Sequence, residues 1–172
     1  VFMGMGEPLL NYKNVMRSIH FITSEEGLNM SYKRITLSTS GISKMIRKLA
    51  DDNVKVNLAL SLHAANEELR KKIMPIGKSN TLEEIRDSLK YYFSKTKKKV
   101  TYEYVLLRDV NDSIEDAYQL YKYTKHLSSK VNIIEYNTVE GLEFKKSSFE
   151  KTENFIGYLL KKGVNYDLQK SN

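Results

Sequence analysis

The residue types that could do chemistry in this sequence gather directly after its short apolar segments. The first group is Gly4-Met5-Gly6-Glu7-Pro8, which follows Val1-Phe2-Met3. Two glycines allow the backbone to approach a ligand closely, and the Glu7 carboxylate can accept hydrogen bonds from a ligand ammonium. A glycine turn with a carboxylate at a helix start explains the same residues. The motif therefore indicates either a binding loop for a charged small molecule or a structural turn.

Serines, a histidine and an asparagine end the later apolar segments. Ser38 and its neighbours can bind a carboxylate through hydroxyl and backbone N–H groups, or they can cap a helix. Ser43 is the better-placed cap for the next helix, so Ser38 and Ser40 are not needed for capping and can bind a ligand. His63 is either a satisfied structural histidine or part of a site, and Asn137 either forms an Asx-turn or faces a ligand.

Two other kinds of site are disfavoured by the sequence. A dinucleotide fingerprint needs a third glycine where Leu9 stands, and Pro8 fits that loop badly. The chain has no cysteine, which excludes disulfides, a thiol nucleophile and an all-cysteine metal site within it. Neither His20 nor His126 has a close sequence partner for a metal pair. We therefore predict no metal ligand in this chain.

The segments that must position these groups alternate between two hydrophobic patterns. Short β-rich runs are separated by longer segments with helical spacing. This predicts an α/β domain with a parallel sheet and right-handed crossovers, and it leaves open a doubly wound sheet or a (β/α) barrel. In both folds the ligand lies beyond the carboxyl ends of the strands, so the polar groups should share one rim. The runs are Val1–Met3, Arg34–Leu37, Val54–Leu62, Val100–Leu107, Val131–Tyr136 and Val164–Leu168.

Helix boundaries are marked by capping residues and glycines. A capping box pairs a serine or threonine with an acidic residue three positions later. The predicted boundaries are Asn11 and Gly27 for the first helix, the boxes Thr81–Glu84 and Ser113–Asp116, and Ser147 with Glu150 for a last helix that ends at Gly163.

The composition is that of a soluble globular protein with an excess of positive charge. The 172 residues are 41% hydrophobic and 28% charged, and 28 Lys and Arg against 21 Asp and Glu give a net charge of +7. Such an excess favours an anionic partner, nucleic acid first. No apolar stretch predicts a membrane span, and no signal peptide is recognisable. Because Val1 opens the chain inside an apolar run, we interpret residues 1–172 as one domain of a longer protein.

Six blocks of the sequence match a known pattern in order and spacing. They are Met3–Asn11, Arg34–Gly41, Leu60–Ala64, Ile73–Ile76, Tyr102–Leu107 with Val110–Asp112, and Val131–Ile134 with Asn137. Together they resemble the radical S-adenosylmethionine methyltransferases of the RlmN and Cfr kind, which methylate adenine carbons in RNA. The resemblance extends from residue 1 to about residue 168.

The resemblance implies a fold, a cosubstrate and a set of binding residues. The family fold is a partial (β/α) barrel with a parallel sheet and helices outside, here truncated at both ends, and the rim described above would be its cofactor face. Gly6 and Glu7 would bind the amino group of S-adenosylmethionine. Ser38, the segment Ser61-Leu62-His63 and Asn137 would hold the rest of that molecule by backbone and side chain.

The cysteines of the family have no counterpart in this chain. Family members ligate a [4Fe-4S] cluster through three cysteines upstream of the glycine motif, and further cysteines carry the methyl group and attack the adenine. None is present here. The resemblance therefore implies a fragment that keeps the S-adenosylmethionine site, has no catalytic or metal-ligating residue, and is inactive alone.

The implied substrates are 23S rRNA and tRNA, methylated at adenine C2 by a monomeric cytoplasmic enzyme with an external electron donor for its cluster. The Cfr branch would methylate adenine C8 instead and give antibiotic resistance. Arg34, Lys71, Lys72 and Lys97–Lys99 are candidates for phosphate contacts, and solvated surface charge explains each of them at least as well.

Two other classes of function stay open. One is a non-catalytic basic βα module that binds RNA. The other is a barrel enzyme for a phosphorylated small molecule, which the stretch Val139–Leu142 with its nearby acids suits poorly. Cysteines in the flanking sequence would identify the methyltransferase.

Overall fold

The sheet consists of parallel strands, as expected from the alternating pattern. The structure is a computed structural model that describes residues 1–4, 6–75 and 79–170. Met5 and Ile76, which belong to two of the six blocks, lie outside the described residues. Phe2 adds an isolated parallel bridge to Leu37 at the side of the first strand. The strands are β1 Thr36–Thr39, β2 Asn57–Ser61, β3 Val100–Leu106, β4 Ser129–Glu135 and β5 Tyr166–Gln169.

The order of the strands decides between the two architectures that the sequence left open. The described strands lie in the order β1-β2-β3-β4-β5, and every neighbouring pair is parallel. A doubly wound sheet reverses its strand order at a switch point, whereas a barrel wall adds each strand beside the previous one. The sequential order is that of a (β/α) barrel wall. The prediction of a partial barrel with a parallel sheet is confirmed.

Helices connect the strands and cover the outside of the sheet. In the described ranges none is long and apolar enough to cross a membrane. The capping boxes predicted at Thr81 with Glu84 and at Ser113 with Asp116 are both present. The helices are α1 Tyr12–Thr23, α2 Ser43–Asp51, α3 Glu67–Ile73, α4 Leu82–Thr96, α5 Ile114–Thr124 and α6 Phe149–Lys161, with 3₁₀ turns at Pro8–Asn11 and Tyr32–Arg34.

The start of α2 differs from the prediction. Ser43 is the first residue of this helix, and Ile42 occupies the cap position without a side-chain bond. The Ser43 N–H instead donates to Asn80 Oδ1 at 3.0 Å. A cap that comes from a residue 37 positions away cannot be recognised from a local pattern.

Two further helix boundaries are corrected. Ser148 and not Ser147 caps α6, because the Ser147 hydroxyl donates to Asp112 Oδ2 at 2.6 Å. The first helix ends at Thr23, with Ser24 as its C-cap, instead of continuing to Gly27.

The two faces of the sheet differ in polarity. One face carries Leu37, Leu58, Tyr102 and Val131, which are fully buried in the hydrophobic core with apolar residues of the helices. Because side chains alternate between the faces of a strand, the neighbouring residues point to the inside of the barrel wall. These inner residues are largely polar and include Ser38, Ser61, Glu103, Asn132 and Gln169; Ser61, Glu103 and Asn132 stand in register on adjacent strands.

Candidate functional site

An open cleft lies at the carboxyl-terminal edge of the sheet, beside the ends of β1 and β2. It has a volume of about 610 Å³. Among the residues that line it are Gly6, Glu7, Ser38, Ser61 and His63. The structure therefore brings five of the seven predicted binding residues into one concave surface, at the edge where the polar strand ends meet.

Glu7 links the glycine loop to the end of β1. Its Oε2 accepts hydrogen bonds from the Ser40 N–H at 2.6 Å and from the Ser40 hydroxyl at 2.5 Å. Its Oε1 accepts from the Leu9 N–H at 3.0 Å and so caps the turn Pro8–Asn11. A carboxylate offers about four acceptor positions, so one stays available to a ligand ammonium. The structural and the ligand-binding interpretations of Glu7 are compatible.

The glycine loop has a backbone conformation that other residues adopt only with strain. Gly4 has φ +135° and Gly6 has φ +89°. A Cβ at Gly6 would meet no atom within 4 Å, so the dihedral angle and not packing favours glycine there. Since Gly6 lines the cleft, its bare backbone is accessible to a ligand.

Two serines from neighbouring strands lie side by side in the cleft. Ser38 Oγ on β1 and Ser61 Oγ at the end of β2 are 3.5 Å apart. A contact of this length is a weak hydrogen bond, so both hydroxyls can donate to a ligand. Ser38 caps no helix, because α2 begins after Ile42.

Arg70 of α3 holds the strand ends under the cleft, and the sequence analysis missed it. It is 2% exposed. Its Nη2 donates to the backbone oxygens of Ser40 at 2.6 Å and Ser61 at 3.3 Å, and its Nε donates to that of Leu62 at 3.2 Å. Burial lowers its pKa, but a guanidinium stays charged in proteins. A positive charge therefore lies within hydrogen-bond distance of the backbone of Ser40 and Ser61, two residues of the cleft lining, where it favours an anionic ligand group.

His63 is fixed in a strained turn after β2. Its φ is +55°, which is uncommon for a residue other than glycine. Its N–H donates to the Glu103 backbone oxygen at 3.2 Å, and its ring Nδ1 accepts from the Val105 N–H at 3.2 Å. Burial, with repulsion from Arg70 as the smaller cause, lowers the pKa of His63 to about 4. The imidazole in the cleft wall is therefore neutral near pH 7.

Leu62 and Asn137 lie apart from the cleft lining. Leu62 is fully buried, its N–H donates to the Glu103 backbone oxygen at 3.0 Å, and its C=O accepts from Arg70. Asn137 is exposed in the loop after β4, two strands beyond β2 along the same edge. The main-chain groups of Leu62 are thus already bonded within the protein, and Asn137 belongs to a neighbouring part of the rim.

Glu103 is a second residue that the sequence analysis did not single out as a site residue. It lies on the inner face of β3, is 6% exposed, and its Oε2 accepts from Asn132 Nδ2 at 2.7 Å. Burial raises its pKa, and the bond from Asn132 and the charge of Lys130 oppose that rise. Its position in register with Ser61 was unpredictable until the pairing of β2 and β3 was known.

The predicted phosphate contacts divide between the two edges of the sheet. Arg34 comes just before β1 and Lys97–Lys99 come just before β3, so they lie at the amino-terminal edge, away from the cleft. Lys71 and Lys72 lie on α3, which follows β2 at the cleft edge. Lys71 forms ion pairs with Glu67 and Glu68 of its own helix. Lys71 and Lys72 are thus the candidates nearest to the cleft.

The residues that the structure describes contain no group of three or more His, Cys, Asp and Glu side chains that could hold a metal ion.

Comparisons with known proteins support a single family. Residues 1–121 match the family model described as "Radical SAM superfamily". The chain is 55% identical over 164 residues to "Probable dual-specificity RNA methyltransferase RlmN" of Flavobacterium psychrophilum, which covers 95% of this chain and 47% of that protein. The protein of the same name from Flavobacterium johnsoniae is 52% identical over 171 residues, covering 99% of this chain and 49% of that protein.

A solved structure has the same fold over nearly the whole chain. The crystal structure of a radical SAM methyltransferase from Sphaerobacter thermophilus superposes with a TM-score of 0.94 at 36% identity, covering 99% of this chain and 50% of that one. The chain thus spans about half the length of the curated relatives it matches.

Proposed function

The chain belongs to the radical SAM superfamily, and we propose that residues 1–172 are the part of an RNA methyltransferase core domain that binds S-adenosylmethionine. The resemblance to RlmN-type methyltransferases is confirmed by relatives with 55% and 52% identity. The activity, substrates and partners of the whole protein are part of this proposal, since the chain matches about half of those relatives.

The composition of the cleft is the observation that carries the proposal. S-adenosylmethionine has an ammonium, a carboxylate and hydroxyl groups. Glu7 keeps an acceptor position for the ammonium, beside the accessible backbone of Gly6. The adjacent hydroxyls of Ser38 and Ser61 suit the carboxylate or the hydroxyls, and the Ser61 backbone is bonded by the charged Arg70.

The remaining predicted residues complete the assignment. His63 lines the cleft as a neutral ring. Leu62 contributes by shaping the turn that carries His63, and Asn137 is available on the next part of the rim. We therefore retain all seven residues, with direct contacts expected first from the five in the cleft.

The superfamily uses S-adenosylmethionine together with a [4Fe-4S] cluster, which supplies the electron for radical chemistry. Such clusters are held by cysteine thiolates, and this chain has no cysteine. The residues present do not fit the cluster. We assign its ligands, the catalytic cysteines and the docking of the electron donor to parts of the protein outside these 172 residues.

The proposed reaction is methylation of adenine C2 in 23S rRNA and tRNA by a monomeric cytoplasmic enzyme. A target base must leave its stack to reach an enzyme cleft, and basic residues neutralise the neighbouring phosphates. The net charge of +7 and the position of Lys71 and Lys72 beside the cleft support this substrate class. The similarity to RlmN proteins favours C2 over the alternative C8 and over a non-catalytic RNA-binding module.

The test uses the full-length protein that contains this chain, with its cluster reconstituted. It is incubated with S-adenosylmethionine and with 23S rRNA or tRNA, and the nucleosides are analysed by mass spectrometry. We expect 2-methyladenosine; 8-methyladenosine or no methylated adenine would contradict the proposal.

Variants of the cleft test the binding residues. Ser38→Ala and Ser61→Ala should each weaken S-adenosylmethionine binding roughly fivefold, the effect of losing one hydrogen bond. Ser94→Ala is the matched control, because this exposed hydroxyl bonds only the Tyr91 backbone within α4. Unchanged binding in both cleft variants would remove the serines from the site.

A further inference from the structure

Asn111 is a fully buried residue that holds the turn of His63 and has no role in the proposed function. It follows β3 and is 0% exposed. Its Nδ2 donates to the His63 backbone oxygen at 2.7 Å and to the Val105 backbone oxygen at 2.8 Å. Its Oδ1 accepts from the Leu107 N–H at 2.7 Å. The amide side chain therefore uses both of its donor hydrogens to join the His63 turn to the end of β3.

Each of three residues is hydrogen-bonded to the other two: Asn111, His63 and Val105. Asn111 bonds the backbone oxygens of both other residues, and the Val105 N–H donates to the ring Nδ1 of His63. A neutral imidazole carries one N–H, so a ring that accepts at Nδ1 is protonated at Nε2. In the part of the chain that the structure describes, Nε2 makes no hydrogen bond, and His63 is one of the residues that line the cleft.

We propose that Asn111 is a positioning residue, which clamps the His63 turn to β3 and so presents the His63 Nε2–H as a fixed hydrogen-bond donor to an acceptor atom of the ligand in the cleft. The backbone of His63 is strained at φ +55°, and such a conformation persists only where the surroundings over-determine it. The bond that Asn111 donates to the His63 oxygen and the bond that the His63 N–H donates to the Glu103 oxygen provide that constraint. This inference does not depend on which ligand the cleft binds.

The burial of the ring is consistent with this role. The ring stays neutral because burial and the charge of Arg70 disfavour its protonated form. A protonated ring would donate from both nitrogens and lose the bond from Val105. A neutral ring whose Nδ1 accepts a hydrogen bond has a single donor, Nε2–H. It can therefore only donate, and not accept, at that nitrogen.

The first measurement is the tautomer of His63 by NMR, on the full-length protein with ¹⁵N-labelled imidazole rings. In the unaltered protein we expect an unprotonated Nδ1 and a protonated Nε2 at pH 7.5. In Asn111→Ala the Nδ1 and Nε2 signals should move toward averaged values, because the freed ring exchanges between tautomers. Asn111→Asp keeps the acceptor for Leu107 but has no donor for the His63 and Val105 oxygens when ionised and at most one when protonated, so it should shift the signals in the same direction.

The matched control separates positioning from general destabilisation. Thr124→Val removes a buried hydroxyl that bonds only the backbone of α5. It should lower the melting temperature without changing the His63 signals. If Asn111 had only a structural role, Asn111→Ala would also lower the melting temperature and leave the His63 tautomer unchanged, as Thr124→Val does.

The second measurement is the dissociation constant of S-adenosylmethionine in a double-mutant cycle. Asn111→Ala should weaken binding roughly five- to tenfold, the loss of one hydrogen bond. In a His63→Ala background the same substitution should add less than about twofold, since the donor is already gone.

Each outcome supports or overturns the inference. A protonated Nδ1 in the unaltered protein, an unchanged tautomer in Asn111→Ala, or fully additive effects in the cycle would each overturn it. If Asn111→Ala does not fold, the unaltered protein and Asn111→Asp still decide. If the tautomer is as expected but S-adenosylmethionine does not bind, the proposed function fails and the positioning role of Asn111 stands.

Discussion

The Glu7 carboxylate binds Ser40 across 33 positions of the chain, with its Oε2 accepting both the Ser40 N–H at 2.6 Å and the Ser40 hydroxyl at 2.5 Å. Hydrogen bonds to a carboxylate are stronger than those between neutral groups. This double contact joins the glycine loop to the end of β1. Ser40 is joined in turn to α3, because its backbone oxygen accepts from Arg70. Glu7 and Arg70 therefore both bind the same residue, Ser40.

Glu7→Gln should weaken both the fold and ligand binding. The amide replaces one acceptor oxygen by a donor that faces either Leu9 or Ser40, so at least one bond is lost. We expect a loss of about 1–2 kcal/mol in the free energy of unfolding and at least tenfold weaker binding of S-adenosylmethionine, measured by urea titration and calorimetry. Glu26→Gln, at an exposed acid after α1, is the control and should change neither. Equal behaviour of the two variants would contradict the anchoring role of Glu7.

Arg70→Met should be among the most destabilising single changes in this chain. It removes the guanidinium donor from the backbone oxygens of Ser40, Ser61 and Leu62, of which Leu62 keeps the bond from the Ala64 N–H. An unpaired buried acceptor costs about 1–3 kcal/mol, so we expect a loss of roughly 3 kcal/mol in denaturant unfolding. Lys72→Met removes a positive charge from the exposed side of the same helix and should cost less than about 0.5 kcal/mol. Similar midpoints for both variants would show that Arg70 is dispensable.

His63 should make the stability depend on pH between neutral and mildly acidic conditions. Its folded-state pKa of about 4 lies below the ordinary value of 6.5, so the unfolded chain takes up the proton first. The contribution is fully present above pH 6.5 and is lost as the pH falls toward 4. It amounts to about 3 kcal/mol at most.

Urea unfolding at several pH values, with His63→Gln as the variant, measures this effect. The difference in unfolding free energy between the unaltered protein and His63→Gln should shrink as the pH falls through that window. Thr124→Val, which removes no titratable group, is the control and should give a difference that stays constant with pH. A constant difference for His63→Gln as well would mean that the ring is not buried in its neutral form.

Gly41→Ala and Gly157→Ala should change stability in opposite directions. Gly41 has φ +100°, and a Cβ there would lie 2.7 Å from Ile85 Cδ1. We expect a loss of about 2 kcal/mol from backbone strain and crowding. Gly157 lies inside α6 with no atom within 4 Å of an added Cβ, so alanine should stabilise by about 0.5–1 kcal/mol. Thermal melts of the two variants compare them directly, and a stable Gly41→Ala would show that the turn after β1 adapts.

The features of the fold that depend on consecutive residues were predictable from the sequence. Those that depend on contacts between residues far apart in the chain were less so. Apolar runs gave the strands, and capping residues gave the starts of α1, α4 and α5, since both are properties of a few consecutive residues. The start of α2 was missed because Asn80 supplies the cap. The choice between an open sheet and a barrel wall could not be made from alternation, because it depends on which strands pair.

The candidate site was predictable from the rule that ligands bind at the carboxyl ends of parallel strands. Glu7, Ser38 and His63 were found in this way. Arg70 was missed because an arginine next to two lysines on a short helix looks like surface charge, and only the packing shows that it points inward. Asn111 belongs to one of the six matching blocks, but its bonds to His63 and Val105 need the three-dimensional structure.

The bridge at Phe2 places one side of the cleft beside the continuous sheet and outside its named strands. The side of the cleft formed by β1 and β2 belongs to a continuous sheet. Phe2 is attached to β1 by two backbone hydrogen bonds: its N–H donates to the Thr36 oxygen at 2.8 Å, and its oxygen accepts from the Ser38 N–H at 3.0 Å. A ligand that contacts both Gly6 and Ser38 would add a further connection between the two sides of the cleft. The affinity for such a ligand would then depend on how the first residues of the chain are attached to β1, as well as on the atoms that the ligand touches.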